Sequence, residues 1–270
     1  MADIRNSIIT ATCDEKYSPY AIVFINSLNR YNNINIIIRT VNCRKDTINN
    51  IKSQGKNITV IEDNPIVSTK RRFAHGGELV YDGLLDSMIK NKTSIRSPRL
   101  LCSEQMAYCS NIKFDTINQL LSDYTSVIYM DVDSIIRGDI SELLTLTSTG
   151  DISMYKDVPY TEQCPGSRRL QGNDVLYHGG LIGVNNTNRS RSLINEWSSV
   201  ISKNMFDWDI DESLFYSAHT DDSVDITCLP KTYKDEDLLD DSLIWSGAGH
   251  TKFSQDRYID ECKKYNPKFT

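Results

Sequence analysis

The stretch that decides the fold of this 270-residue chain is Val-Ile-Tyr-Met-Asp-Val-Asp-Ser-Ile-Ile, at residues 127–136. Its first four residues are apolar, which is typical of a buried strand, and two carboxylates, Asp131 and Asp133, follow at the strand's carboxyl end. Open α/β sheets bind their ligands at that end of their strands. Because side chains alternate along an extended chain, Asp131 and Asp133 are expected to point to one side and Val132 to the other. The stretch therefore predicts a ligand site at one edge of an α/β sheet.

The segments around this stretch predict strands and helices in alternation. Up to residue 62 the order is strand, helix, strand, helix and strand, at residues 7–12, 17–30, 35–41, 46–54 and 57–61. This order is typical of a doubly wound α/β fold. The remaining predictions are one or two helices over 99–121, helices over 190–204 and 211–217, and strands over 126–130, 151–155 and 180–184. Residues 63–98 are predicted as a mixed segment or loop, residues 235–270 as irregular, and the whole chain as one continuous domain.

The composition excludes several classes of protein. The chain has 30 Lys and Arg against 36 Asp and Glu, a net charge of −6, whereas a protein that binds nucleic acid needs a basic surface. No apolar run reaches the roughly 18 residues of a membrane span, and the first residues do not resemble a secretory signal. We therefore expect a cytoplasmic protein with no nucleic-acid partner and no membrane span. Its many Ile and Asn residues indicate an AT-rich microbial or viral genome, and a viral protein would act in the host cytoplasm.

The two neighbouring carboxylates predict a bound cation. Asp131 and Asp133 raise each other's pKa unless a positive charge lies between them, and their hard oxygen ligands suit Mg²⁺ or Mn²⁺ with phosphate oxygens completing the shell. One alternative is a solvated turn with no function. Another is a phosphatase of the haloacid-dehalogenase type with Asp131 as nucleophile, which the mid-chain position and Ile135 disfavour. A non-catalytic sugar-binding protein is the third.

An ordered series of motifs resembles the GT-A-fold glycosyltransferases, and most of all family 8, the glycogenin and bacterial galactosyltransferase group. Residues 8–17 (IITATCDEKY) resemble the family's first strand and loop. This implies that Thr10, Ala11 and Thr12 contact the base and ribose of a nucleotide and that Tyr17 stacks on the base. Later segments follow in the family's order, namely SNIKF at 110–114, DVD at 131–133, MYKD at 154–157, YHGGLIGVN at 177–185, DESLF at 211–215 and SGAGHTK at 246–252.

The resemblance implies a role for several of these residues. Lys113 matches a basic residue that reaches the phosphates or the sugar of the donor. Asp131 and Asp133 match the metal-binding pair, in which Asp131 also contacts the nucleotide. Asp157 matches the strand-end residue that contacts the donor sugar.

Two downstream motifs match the family only in part. In the segment at 177–185, Gly180 and Asn185 agree with the family, whereas His178 replaces an Asn. In the segment at 211–215, Glu212 stands where Gln is usual.

The last motif departs from the family at a metal ligand. Gly249 and Lys252 are in register, and the resemblance implies that the lysine contacts the diphosphate. Ser246, however, replaces the histidine that binds the metal. Either His250 supplies the third ligand from a shifted loop, or fewer protein groups hold the metal.

The resemblance implies a single GT-A, Rossmann-like domain with a mixed, mostly parallel sheet flanked by helices. Residues 1–133 would form the nucleotide-binding half and residues 134–270 the sugar and acceptor half. The implied reaction moves a sugar from a nucleotide-diphosphate donor, a UDP-sugar, to a hydroxyl group of a glycan, protein or small molecule, with Mn²⁺ or Mg²⁺ as cofactor. Asp157 and Asp211 would orient the donor sugar. The family implies retention of anomeric configuration, whereas inversion would require a base, Asp211 or Glu212.

Overall fold

The computed structural model describes residues 6–68, 71–73, 79–80, 101–157, 176–206, 210–219, 223–247, 252 and 255–269. The strands are β1 (Ser7–Asp14), β2 (Ile36–Val41), β3 (Ile58–Asp63), β4 (Arg71–Phe73), β5 (Leu79–Val80), β6 (Leu101–Ser103), β7 (Ser126–Met130), β8 (Ser134–Ile136), β9 (Ile152–Asp157), β10 (Leu176–Asn185), β11 (Ile226–Leu229) and β12 (Ile244–Ser246). The α-helices are α1 (Ser18–Tyr31), α2 (Lys45–Lys52), α3 (Glu104–Leu120), α4 (Ser141–Leu146), α5 (Asn188–Lys203), α6 (Ile210–His219) and α7 (Asp256–Tyr265).

In this described part of the chain, seven strands form a central sheet in the order β11-β9-β10-β7-β1-β2-β3. Every pairing is parallel except those of β10, which runs antiparallel to both of its neighbours. Smaller antiparallel sheets join β8 to β12, and β4 to β5 and β6. The mixed, mostly parallel sheet confirms the predicted fold class. The two predicted halves share this sheet, because β7 lies between β1 and β10.

Helices cover both faces of the sheet because its central strands are apolar on both sides. Strand β7 is buried along its whole length. Val127 and Tyr129 pack into the cluster formed with α3 and α5, whereas Ile128 and Met130 pack into the cluster formed with α1. Burial on both faces is typical of strands in the middle of a parallel sheet. The burial of β7 on both faces fixes its carboxyl end, from which the two aspartates extend.

The helices begin where their local sequences indicate. Helix α1 starts at Ser18 with Pro19 in its first turn, close to the predicted start at residue 17. Helix α3 starts at Glu104, because the Ser103 side chain caps it by accepting the Met106 backbone N–H at 3.1 Å. Within the described ranges, no helix of the protein has both the length and the apolar character needed to cross a bilayer.

Several predicted boundaries were wrong. Residues 235–270 were predicted as irregular, but they contain β12 and α7, whose buried residues Tyr258 and Cys262 pack against Tyr20 of α1. Strands β8 and β11 were not predicted, because runs of three and four residues are too short to show a periodicity. The strand predicted over 180–184 starts earlier, at Leu176. Most of the segment predicted over 63–98 lies outside the described residues.

An aromatic cluster supports the face of the sheet that carries α3. The Trp197 ring of α5 is 1% exposed, and its centroid lies 5.5 Å from that of Phe114 and 5.6 Å from that of Phe215 in edge-on geometry. We predict that Trp197→Ala lowers the free energy of unfolding by about 3–5 kcal/mol, because the cavity cannot be refilled by its rigid neighbours. Urea denaturation measures this loss. Ile66→Ala is the control, since Ile66 is 97% exposed and should change stability by at most about 0.5 kcal/mol.

Candidate active site

Asp131 is the first residue after β7 and is held by its backbone. Its N–H donates to the Gly180 carbonyl oxygen at 2.8 Å, and the Tyr129 hydroxyl lies 3.4 Å from its Oδ1. Gly180 of β10 allows this approach, because a Cβ at that position would overlap the Asp131 carboxylate. The glycine in the predicted motif therefore has a steric role beside the aspartate.

Asp133 is buried next to Asp131 and forms an ion pair with the Lys252 ammonium. Its backbone carbonyl accepts hydrogen bonds from the Tyr258 hydroxyl and from the Gly247 N–H, the latter at 3.3 Å. The turn after β7 is thus held by three groups from the C-terminal part of the chain. Lys252, which was predicted to contact the diphosphate, thus lies directly against the aspartate pair.

Burial and charge both shift the pKa values of this pair. Burial raises the pKa of the Asp133 carboxyl and the neighbouring Asp131 adds to the rise, while Lys252 opposes it. Burial lowers the pKa of the Lys252 ammonium, but Asp133 and Tyr17 raise it by more, so that it ends above its usual range. The lysine therefore remains a cation beside the aspartates.

A second buried ion pair joins two predicted residues that are far apart in the sequence. The Lys113 ammonium of α3 lies 2.6 Å from Asp211 Oδ2 of α6, with the two side chains 3% and 13% exposed. The ammonium also donates to the Gly179 carbonyl oxygen at 3.3 Å. A Cβ at Gly179 would lie 2.6 Å from the ammonium and 2.7 Å from the carboxylate, so this glycine also permits a close approach.

The residues predicted to hold the nucleotide separate into two groups. Thr12 and Tyr17 line the cleft, whereas Thr10 and Ala11 are fully buried within β1. The Tyr17 ring centroid lies 4.6 Å from the Lys252 ammonium, a cation–π distance. Stacking of the Tyr17 ring on a base stays a prediction.

The remaining predicted residues are described only in part. Asp157 ends β9 and Glu212 lies in α6, but their side chains, like all of Gly249 and His250, lie outside the described residues. Ser246 ends β12, and its buried hydroxyl has no hydrogen-bond partner among the residues described. The third metal ligand predicted at His250 stays a prediction.

Sequence reasoning assigned no role to three charged residues of the cleft, namely Asp14, Lys234 and Glu236. Lys234 and Glu236 both line it, with the Lys234 ammonium 2.7 Å from Glu236 Oε1. They belong to the run Lys-Asp-Glu-Asp at residues 234–237, which has the composition of a solvated loop. A buried lysine within such a run has no local signal.

These side chains surround a cleft of about 370 Å³ at the carboxyl ends of β1 and β7. This volume falls within the roughly 300–1,000 Å³ that small-molecule sites occupy. The described residues that line it include five carboxylates and three lysines, namely Asp14, Asp131, Asp133, Asp211, Glu236, Lys113, Lys234 and Lys252. The cleft thus offers hard oxygen ligands and ammonium groups together, which is the chemistry that recognises a metal-bound or free polyphosphate.

The fold and this cleft define a class of protein, the GT-A glycosyltransferases. A family model described as glycosyl transferase family 8 matches residues 8–190, which is more than half of the chain. The chain belongs to glycosyl transferase family 8. No curated protein sequence matches it. Family membership makes the protein a glycosyltransferase and favours that activity over the phosphatase and the non-catalytic alternatives.

Solved structures with similar folds agree with this class. Galactosyltransferase LgtC, in complex with donor and acceptor sugar analogues, is 12% identical, with a TM-score of 0.58 over 95% of each chain. Apo glycosyltransferase GlyE from Streptococcus pneumoniae is 14% identical, with a TM-score of 0.56 over 97% of this chain and 60% of that one. Mouse xyloside xylosyltransferase 1 is 12% identical, with a TM-score of 0.50 over 91% of this chain and 98% of that one. At such identities the similarity demonstrates the shared fold.

Family 8 enzymes with this fold generally use a divalent metal. Among the described residues, no three His, Cys, Asp or Glu side chains come together as a metal site. Asp131 and Asp133 nevertheless fit Mg²⁺ or Mn²⁺, because Mg²⁺ in particular is commonly held by one or two carboxylates together with substrate phosphates. The buried Ser246 hydroxyl, which has no hydrogen-bond partner in the described part of the chain, is a further hard oxygen at the end of β12. Strand β12 pairs with β8, the strand that follows Asp133, so that Ser246 lies opposite Ser134.

We predict that Asp211→Asn lowers the free energy of unfolding by about 3–5 kcal/mol, because it leaves the Lys113 ammonium buried without its counter-charge. The double variant Lys113→Met with Asp211→Leu should recover most of this loss. Asp237→Asn is the matched control, since it removes the carboxylate of the exposed Lys231–Asp237 pair and should cost at most about 1 kcal/mol. Urea denaturation measures all three, and equal losses for Asp211→Asn and Asp237→Asn would contradict the prediction.

Proposed function

We propose that this protein transfers a sugar from a nucleotide-diphosphate donor, a UDP-sugar, to a hydroxyl group of a glycan, a protein or a small molecule. The observation that carries the proposal is the arrangement at the end of β7, where Asp131, Asp133 and the Lys252 ammonium line one cleft. Membership of family 8 supports it. The LgtC structure, which contains donor and acceptor sugar analogues, supports the same type of substrates.

A divalent cation, Mn²⁺ or Mg²⁺, is part of this proposal. Asp131 and Asp133 would hold it, and His250 or the buried Ser246 hydroxyl would contribute a further ligand. When bound, the ion supplies positive charge that stabilises the leaving diphosphate.

Protein groups bind the rest of the nucleotide. Thr12 and Tyr17 line the cleft and would contact the ribose and the base, whereas the burial of Thr10 and Ala11 keeps their side chains within the sheet. The Lys252 ammonium would contact the diphosphate, and Gly249 of the same motif is proposed as a further contact of the nucleotide. A fixed ammonium at this position stabilises the charge that develops as the diphosphate departs.

Asp157 and Asp211 would orient the donor sugar by accepting hydrogen bonds from its hydroxyl groups. Lys113 holds the Asp211 carboxylate in one position, which supports an orienting role for Asp211 rather than that of a base. We therefore propose retention. The bond from the anomeric carbon to the phosphate oxygen breaks, the acceptor oxygen bonds to the same face, and the leaving diphosphate takes the acceptor's proton. Inversion would assign the base to Glu212.

We predict that UDP with Mn²⁺ stabilises the protein in a thermal-shift screen of nucleoside diphosphates and nucleotide sugars. A ligand at 100 times its Kd adds about 2.7 kcal/mol to the free energy of unfolding, because it binds only the folded state. UDP with EDTA and Mn²⁺ alone are the controls, and both should stabilise less. A larger shift from GDP or ADP would contradict the uridine donor.

We predict that Asp131→Asn reduces metal-stimulated hydrolysis of the UDP-sugar by roughly 100-fold or more, because several kcal/mol of charge stabilisation depend on the ion. The variant should keep the melting temperature of the wild type, since Asn preserves the shape of the side chain. Asp123→Asn, at an exposed position just before β7, is the control and should behave as the wild type. Wild-type turnover in Asp131→Asn would refute the role assigned to the aspartate pair.

A further inference from the structure

We propose that Lys234 is a second phosphate-binding lysine, which binds the donor's diphosphate together with Lys252. Lys252 contacts Asp133, and Lys234 stands beside Asp131. A Cβ at Gly180 would overlap the Asp131 carboxylate and would lie 2.9 Å from Lys234 Cε, so both side chains approach the same glycine. The inference rests on the proposed function and assigns a further residue to its leaving-group site.

The two side chains of the Lys234–Glu236 ion pair are buried to different extents. The Lys234 side chain is 5% exposed, whereas its partner Glu236 is 39% exposed. A buried ammonium requires a counter-charge because its desolvation is costly. Glu236 provides that charge, and because its own carboxylate is already partly in water, its loss of the Lys234 contact costs little. The cation is therefore a built part of the site, and the anion that neutralises it is exchangeable.

The loop that carries Lys234 is held in place by the next residue. Asp235 is fully buried, and its carboxylate accepts the backbone N–H groups of Asp237 at 2.8 Å and Leu239 at 2.7 Å. The Asp235 backbone carbonyl accepts the Ser246 N–H at 2.7 Å, and its own N–H donates to the Ile244 carbonyl oxygen at 3.1 Å. These bonds attach the loop to β12, so Lys234 is positioned before any ligand arrives.

The charges of the cleft explain why an anionic ligand needs this second lysine. Asp131 and Asp133 repel a diphosphate, and the charge of Lys252 is largely neutralised by Asp133. Lys234 adds a positive charge whose own partner is exposed. A lysine ammonium binds phosphate as a compact point charge, which suits the several oxygens of a diphosphate. The diphosphate would then displace Glu236 and take its place as the anionic partner of Lys234.

The test is calorimetric titration of UDP and of uridine, in EDTA and again with Mn²⁺, into the wild type and two variants. Lys234→Gln should weaken UDP binding roughly 10-fold, because it removes one charged hydrogen-bond donor to phosphate, and should leave uridine binding unchanged. Glu236→Gln should tighten UDP binding, because it removes the competing carboxylate, and should also leave uridine binding unchanged. Lys231→Gln is the matched control, since Lys231 also pairs with a nearby carboxylate but is half exposed and is not among the described cleft residues.

The two variants are expected to change the UDP affinity in opposite directions, which distinguishes a binding role from a structural one. Equal weakening of UDP and uridine by Lys234→Gln, or unchanged UDP binding, would overturn the inference and leave the proposed function intact. Weaker UDP binding in Glu236→Gln would also overturn it. If the wild type binds no UDP in either buffer, the UDP donor itself is refuted, which is a separate result.

Discussion

The buried Asp133 carboxylate lies beside a second carboxylate, Asp131, and this arrangement is unfavourable unless a cation is close. Lys252 supplies that cation from 119 residues further along the chain. The same turn is held by Tyr258 of α7, whose hydroxyl donates to the Asp133 carbonyl oxygen. The C-terminal elements therefore pack onto the end of β7 for an electrostatic reason as well as an apolar one.

Strand β10 organises the other side of the cleft. It runs antiparallel between β7 and β9, and two consecutive glycines lie where it passes the cleft. Gly179 allows Lys113 and Asp211 to meet, and Gly180 leaves room for Asp131. A side chain at either position would separate charged groups that the fold otherwise brings together. The close approach of these charged side chains to the β10 backbone, which the two glycines allow, thus determines how the buried charges are arranged.

The cleft solves the problem of binding an anion in an acidic protein, whose net charge is −6. Each of its described lysines is ion-paired in the structure, so the ammonium groups are stabilised before a ligand binds. The three pairs differ in how easily a phosphate can replace the carboxylate partner. Lys113 and Lys252 pair with carboxylates that are themselves largely buried, whereas the Lys234 partner is exposed. Replacement by a diphosphate costs the least free energy at Lys234, because the released carboxylate of its partner is solvated by water.

Local pattern was sufficient to predict the α/β order, strand β7 and the aspartates at its end, because burial and turn signals extend over only a few neighbouring residues. The roles of Lys113 and Lys252 came from the family resemblance, since an isolated lysine carries no periodic signal. Short strands such as β8 were missed because three residues cannot show a periodicity. Helix α7 was missed because its sequence is polar overall, although its buried residues Tyr258, Cys262 and Tyr265 recur at helical spacing.

Local sequence determined which segments became strands and helices and where two carboxylates would emerge from the sheet. The tertiary structure alone decided which charges meet, namely Lys252 with Asp133, Lys113 with Asp211, and Lys234 beside Asp131. The physical reason is that each of these contacts joins segments far apart in the chain. Their proximity depends on the order of the strands and on the antiparallel course of β10, neither of which is encoded in the residues next to the contact.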